Sequence, residues 1–151
     1  MKKQIPIFFT IDDKYAPYVA CAITSIIENS SKDYEYKIFI LHDGLNKENL
    51  EKLSNLKCEG FDIIFREMKD GMELITDRVE NRLRCDYFTL TIYFRLFIAD
   101  LFPEYDKGVY IDSDVVVPGD ISELYNHELG DNFIGASTDN SIQGIPELTK
   151  Y

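Results

Sequence analysis

The chain has 151 residues, with 16 Lys plus Arg against 27 Asp plus Glu, for a formal charge of −11. That balance excludes a general nucleic-acid or anionic-membrane binder, which needs a surplus of positive charge. With 45% hydrophobic and 28% charged residues the composition is that of a globular protein, and the length fits one domain over 1–151.

The N-terminal stretch MKKQIPIFFTIDD places two lysines before an apolar run. The run is short, Thr10 interrupts it and two aspartates follow, so it reads as a buried strand over 5–10 rather than a signal peptide. Val19, Ile23, Ile26 and Ile27 then recur at helical spacing, with Asp12 and Asp13 placed to cap the helix start. A second strand over 36–41 stops at His42-Asp43-Gly44. Asn46 is a good N-cap for a helix with Leu50, Leu53 and Leu56 on one face, and a third strand follows over 61–65. Strand alternating with helix predicts an α/β fold, a mostly parallel, Rossmann-like sheet with helices on both faces. Right-handed crossovers make it doubly wound.

Residues 72–86 are polar and poorly periodic, suiting a short helix or a loop. Residues 90–102 read as one helix, apolar on nearly every side and therefore buried, ended by Pro103. A fourth strand is expected over 109–111 with a short continuation over 115–117. Pro118-Gly119 marks a turn, 121–125 a helical turn and 133–136 a fifth strand. No stretch approaches the roughly 20 apolar residues of a membrane span. Cys21, Cys58 and Cys85 form no CxxC pair, which supports neither a disulfide framework nor a zinc knuckle; they read as reduced thiols in a cytoplasmic protein. Asn29-Ser30-Ser31 reads as a chance glycosylation pattern, and His42 and His127 as solvated or turn residues.

The segment VYIDSDVVVPGD poses the chemical question, because carboxylates inside an apolar run need a partner. In extended chain residues i and i+2 project to one side, so Asp112 and Asp114 can converge where the strand ends. Open α/β sheets bind ligands beyond strand carboxyl ends. Two hard oxygen donors there suit Mg²⁺ or Mn²⁺ together with substrate phosphates. The structural alternative is that both aspartates cap backbone amides in the turn. Arg95, inside LTIYFRLFIADLF, needs an anionic partner if buried. That partner is either a carboxylate, Asp112 or Asp100, or the hydroxyls or phosphates of a ligand. Asp12 and Asp13 lie at another strand end on the same edge. One is expected to cap the helix while the other holds a ribose hydroxyl or a base edge. Neither G-x-G-x-x-G nor a Walker A loop is present, so a diphosphate would need the metal.

The stretch FFTIDDKYAPY, followed by LTIYFRLFIADLFPEYDKGVYIDSDVVVPGDISELY, resembles glycosyltransferase family 8. The resemblance covers essentially the whole chain and implies a GT-A nucleotide-diphospho-sugar transferase fold. It also implies transfer of glucose or galactose from UDP-glucose or UDP-galactose, with retention, to a saccharide or lipid-linked glycan acceptor of lipopolysaccharide type. Asp112 and Asp114 match the family's D-x-D ligands of Mn²⁺ (or Mg²⁺), and Ser113 the residue between them, whose backbone faces the nucleotide. Thr10 and Asp12 match positions that hold uracil, and Ile11 and Tyr15 belong to the same nucleotide-binding stretch. Arg95 matches an arginine reaching the donor sugar, and Asp139 an acidic residue near that sugar's hydroxyls. Lys14 departs from the asparagine often found at its position, losing an amide acceptor for the base.

The family's histidine metal ligand, its acceptor-binding residues and the polar residue beneath the anomeric carbon lie downstream of the matching region. The expectation is therefore the N-terminal, nucleotide-sugar-binding portion of such an enzyme, with the catalytic residues, and any peripheral membrane association, beyond residue 151. Two other readings compete with it. A haloacid-dehalogenase-type phosphatase would use Asp112 as nucleophile and Asp114 as acid/base, but that motif normally opens its fold. A truncated, non-catalytic nucleotide-sugar-binding module would bind without turnover.

Overall fold

The computed structural model describes residues 2–68 and 91–137. Four parallel strands, β1 (Lys3–Ile11), β2 (Tyr34–His42), β3 (Phe61–Glu67) and β4 (Val109–Tyr110), form one sheet in the order β3-β2-β1-β4. The chain starts in the middle of the sheet, steps outward through two crossovers and returns to the other side of β1. The gap between β1 and β4 at that reversal is where an open sheet leaves room for a ligand.

Alternation along the central strands explains the two-sided core. Ile5, Ile7, Phe9 and Ile11 of β1, with Tyr36, Ile38 and Ile40 of β2, point to one face. Phe8, Phe39 and Leu41 point to the other. On the first face lies α1 (Ala16–Asn29), which buries Val19, Ala22, Ile23 and Ile26 at intervals of three and four. Leu53 of α2 (Lys47–Ser54) and Ile121 and Tyr125 of α5 (Ile121–Asn126) complete that layer. The second face is covered by Phe94, the last residue of α3 (Thr91–Phe94), and by Phe102, which follows α4 (Ile98–Leu101). There Phe8 stacks on Phe39 with centroids 5.0 Å apart, and Phe102 tilts against Phe39 at 4.6 Å. Aromatic pairs of this kind add about 0.5–1.5 kcal/mol beyond the area they bury.

The helix starts follow local chemistry. Asn46 accepts the Asn49 N–H at 2.8 Å as the cap of α2. Asp12 caps the 3-10 turn Asp13–Tyr15 that runs into α1, accepting from the N–H groups of Lys14 and Tyr15. Pro17 occupies the first turn of α1, where its missing N–H costs nothing.

Several expectations are corrected. The segment 90–102 is not one buried helix. From residue 91 it runs as α3, a 3-10 turn over Arg95–Phe97 and α4, with Phe94 buried but Leu96 69% exposed. Only one side of this apolar stretch meets the sheet, so its composition overstated its burial. Residues 115–117 form no strand: they lie beyond the two-residue β4, and α1 side chains rather than a strand hold Val117. Residues 133–136 form none either, and Phe133 and Ile134 lie exposed without a paired edge among the described residues. His42 is the buried last residue of β2 rather than a solvated turn residue; its ring meets Phe65 edge-on and its carbonyl accepts the Met68 N–H. Cys21 and Cys58 are free and exposed. The segment 72–86, with Cys85, and Asp139 lie outside the described residues.

Candidate functional site

The carboxyl ends of β1 and β4 meet at one edge of the sheet. β4 is short, but its register is fixed: Val109 pairs with Ile7, Tyr110 with Phe8, and the Ile111 N–H donates to the Phe8 carbonyl at 3.1 Å. Gly108 makes this approach feasible, since a Cβ there would lie 2.6 Å from the Phe8 ring.

Tyr110 is the hub of the polar contacts at this edge. Its hydroxyl lies 3.0 Å from Thr10 Oγ1 and donates to Asp112 Oδ1 at 3.1 Å. The Arg95 guanidinium stands over its ring, 4.7 Å from the centroid, with Nη2 3.6 Å from Asp112 Oδ1. Burial raises the tyrosine pKa above its ordinary value, so the hydroxyl keeps its proton near neutral pH. Thr10, Arg95 and Asp112, selected from sequence, are thus brought together by a residue that sequence reasoning passed over. The available signal was spacing, because Tyr110 precedes Asp112 by two, the interval at which side chains of an extended chain project to one side.

Arg95 finds the carboxylate partner named as one of its alternatives, but its side chain is 37% exposed and that of Asp112 61%. Such a pair contributes at most about 1 kcal/mol in water and remains open to a ligand. Beyond Asp112 the chain turns at Ser113–Asp114, so alternation along an extended strand does not govern the placement of Asp114. Ser113 is buried, while Asp114 is exposed and takes no part in the contacts around Tyr110.

At the β1 end one aspartate of the pair makes the expected cap, and the other is bound to the start of α2. Asp12 makes its cap through Oδ1. Asp13 accepts from the Asn46 N–H and side-chain amide and from the Asn49 amide, and the Asn46 and Asn49 bonds lower its pKa below the ordinary carboxyl value. Asp13 is therefore the strap between β1 and α2, and Asp12 the residue with an oxygen, Oδ2, outside the cap. The Ile11 side chain is buried in the core, so its main chain alone faces the edge. The Tyr15 ring is 39% exposed and lies 5.5 Å from the ring of Tyr18. At the end of β2, desolvation together with the charges of Asp12 and Asp13 raises the pKa of Asp43. Five aspartates from three strand ends therefore concentrate negative charge along one edge, an environment that favours a cation.

Among the described residues no group of three or more His, Cys, Asp or Glu side chains is placed to hold a metal. The pair expected from sequence, Asp112 and Asp114, falls below that number. Two carboxylates suit Mg²⁺ or Mn²⁺, which dehydrate reluctantly and complete their octahedra with phosphate and water oxygens. A shallow groove of about 490 Å³ runs from Tyr110 and Asp112 along Val115–Val117 to Asp120, Ile121 and Leu124.

A parallel sheet reversing beside β1, with a D-x-D turn at the reversal, matches the GT-A glycosyltransferase fold. A galactosyltransferase, LgtC, solved in complex with donor and acceptor sugar analogues, superposes with a TM-score of 0.72 at 29% identity, over 89% of this chain and 47% of that one. The family model described as glycosyl transferase family 8 matches residues 6–150, and the chain belongs to that family. Lipopolysaccharide 1,2-glucosyltransferase of Escherichia coli is 32% identical over 124 residues, covering 82% of this chain and 35% of that protein. General stress protein A of Bacillus subtilis is 26% identical over 131 residues, covering 85% of this chain and 44% of its own length. The chain spans less than half the length of the curated relatives it matches. Family membership sets aside the phosphatase reading of Asp112 and Asp114. No helix among the described residues is long and apolar enough to cross a membrane.

Proposed function

We propose that this chain is the nucleotide-sugar-binding portion of a retaining, UDP-hexose-dependent glycosyltransferase, taking glucose or galactose from UDP to a saccharide or lipid-linked glycan acceptor. The carrying observation is the hydrogen-bonded set Thr10–Tyr110–Asp112 with Arg95 against it, at the sheet reversal of a family 8 chain. The glucosyltransferase and galactosyltransferase among its relatives support the choice of a hexose donor.

Thr10 and the Oδ2 side of Asp12 receive the uracil, with the Ile11 main chain and the Tyr15 ring along the same stretch. The Ser113 main chain lies beside the nucleotide, and Asp112 and Asp114 hold the divalent cation, Mn²⁺ or Mg²⁺. The chemistry that cation supplies is neutralisation of charge on the diphosphate leaving group. Arg95, partly exposed beside Asp112, reaches the donor sugar, and Asp139 meets that sugar's hydroxyls. Leaving-group departure and attack by the acceptor hydroxyl take place on one face of the sugar, which keeps the anomeric configuration. Acceptor recognition belongs to residues other than these.

The test is calorimetric titration with UDP-glucose, UDP-galactose and ADP-glucose, each with Mn²⁺ and again with EDTA. Binding of one UDP-hexose that is lost in EDTA and absent for ADP-glucose is the expected result. Equal binding of the uridine and adenine donors would remove the assignment of Thr10 and Asp12 to the base.

A further inference from the structure

We infer that Tyr110 is a positioning residue for cation binding, coupling the base-reading end of the site to the metal-holding end through its hydroxyl. The inference rests on the nucleotide-sugar reading of the site.

The geometry is that of a short relay. Thr10 Oγ1, Tyr110 Oη and Asp112 Oδ1 are linked at 3.0 and 3.1 Å, and the two outer groups belong to β1 and to the segment that follows β4. Tyr110 stands on β4, whose register against β1 is fixed at Phe8, so its ring has a defined origin. The Arg95 guanidinium on the ring narrows its motion further. A hydroxyl has one proton to give. With that proton committed to Asp112 Oδ1, the tyrosine oxygen is left to accept from the threonine hydroxyl. Asp112 is 61% exposed and sits where the strand has already ended, so without this bond its carboxylate would sample several rotamers. Holding Oδ1 turns the carboxylate toward one direction before a cation arrives and lowers the ordering cost of binding. Partners of ligating carboxylates act on metal affinity in this way, typically by a factor of 10–100. The chain of bonds has a second consequence. A ligand that engages the Thr10 hydroxyl changes what Tyr110 accepts, and thereby the strength with which it holds Asp112. Base occupancy and cation affinity are coupled through this one side chain.

The experiment uses the full chain and Mn²⁺, whose free form is read by its electron paramagnetic resonance signal, at saturating UDP. Tyr110→Phe keeps the ring beneath Arg95 and removes only the hydroxyl. The expected result is Mn²⁺ affinity weaker by about 10-fold, a loss larger than any change in affinity for UDP in EDTA and out of proportion to any fall in melting temperature. Thr10→Val, which leaves Tyr110 Oη without its second partner, weakens Mn²⁺ by a smaller factor. The double variant falls short of the product of the two effects. Wild-type Mn²⁺ affinity in Tyr110→Phe would overturn the positioning role while leaving the site in place. Equal losses of Mn²⁺ affinity, metal-free UDP affinity and melting temperature would show a merely structural tyrosine and overturn it as well. Failure of the wild-type chain to bind Mn²⁺ with UDP at all would remove the site reading and the relay together.

Discussion

The Ser25 hydroxyl accepts the Val117 N–H at 2.9 Å, joining the middle of α1 to the segment after the D-x-D turn. The same hydroxyl donates to the Ala22 carbonyl, and the Asn29 amide donates to the Val117 carbonyl at 3.0 Å. The turn carrying Asp112 and Asp114 is therefore held at both ends, by β1 before it and by α1 after it.

Ser25 is buried, so its replacement by alanine leaves the Val117 N–H without its partner. The expected cost for Ser25→Ala is about 1–3 kcal/mol, read from urea denaturation midpoints at unchanged slope. A variant as stable as the parent would mean that the Val117 amide finds water and that the turn is not clamped.

Gly108 gives a sharper test of how β4 reaches β1. Gly108→Ala drives a methyl group into the Phe8 ring, which is packed between Phe39 and Phe102 and cannot withdraw freely. Overpacking of this kind costs about 1–3 kcal/mol. Because Tyr110 lies two residues on, UDP affinity is expected to fall as well. Thermal melts together with titrations check both effects, and an alanine variant with parental stability and affinity would contradict the close-approach account.

Asp62 supplies a pH signature remote from the site. Hydrogen bonds from Lys37 and then Lys57 bring its pKa down from 3.8 to about 2. A depressed carboxyl pKa contributes stability that is present above the unfolded value and is lost as pH falls through the folded one. The window is therefore about pH 4 down to pH 2. The side chain is 35% exposed, so solvent screening limits the contribution to about 1 kcal/mol. Asp62→Asn is expected to lower stability by that amount at pH 7 and to match the parent near pH 2. A constant difference across the range would exclude the ion-pair origin.

How much of the fold and site could be read in the sequence depended on how local the cause was. β1, β2 and β3 announced themselves as apolar runs of strand length, and Asn46 marked the start of α2 by cap chemistry alone. The segment 91–101 misled because an apolar count does not say which side meets the sheet, and Leu96 lies exposed as a result. Asp112 and Arg95 stood out as charged residues within apolar runs, whereas Thr10 was picked out by the family resemblance alone. Tyr110 did not stand out, since a tyrosine in a strand needs no special explanation until its hydroxyl partners, 100 residues apart in one case, are known. Ser25 and Asn29 were missed for the same reason: their partner at Val117 is created by the fold.

The most direct measurement is the melting temperature with Mn²⁺ and UDP, taken for the parent chain and for Asp114→Asn. Asp114 is exposed and the substitution preserves its size, so the unliganded variants should melt alike. With ligand at about 100 times its dissociation constant, the parent gains about 2.7 kcal/mol, equivalent to roughly 5–10 °C. The account predicts that Asp114→Asn loses the Mn²⁺-dependent part of this rise. An undiminished rise in Asp114→Asn would contradict the assignment of the cation to the Asp112–Asp114 pair.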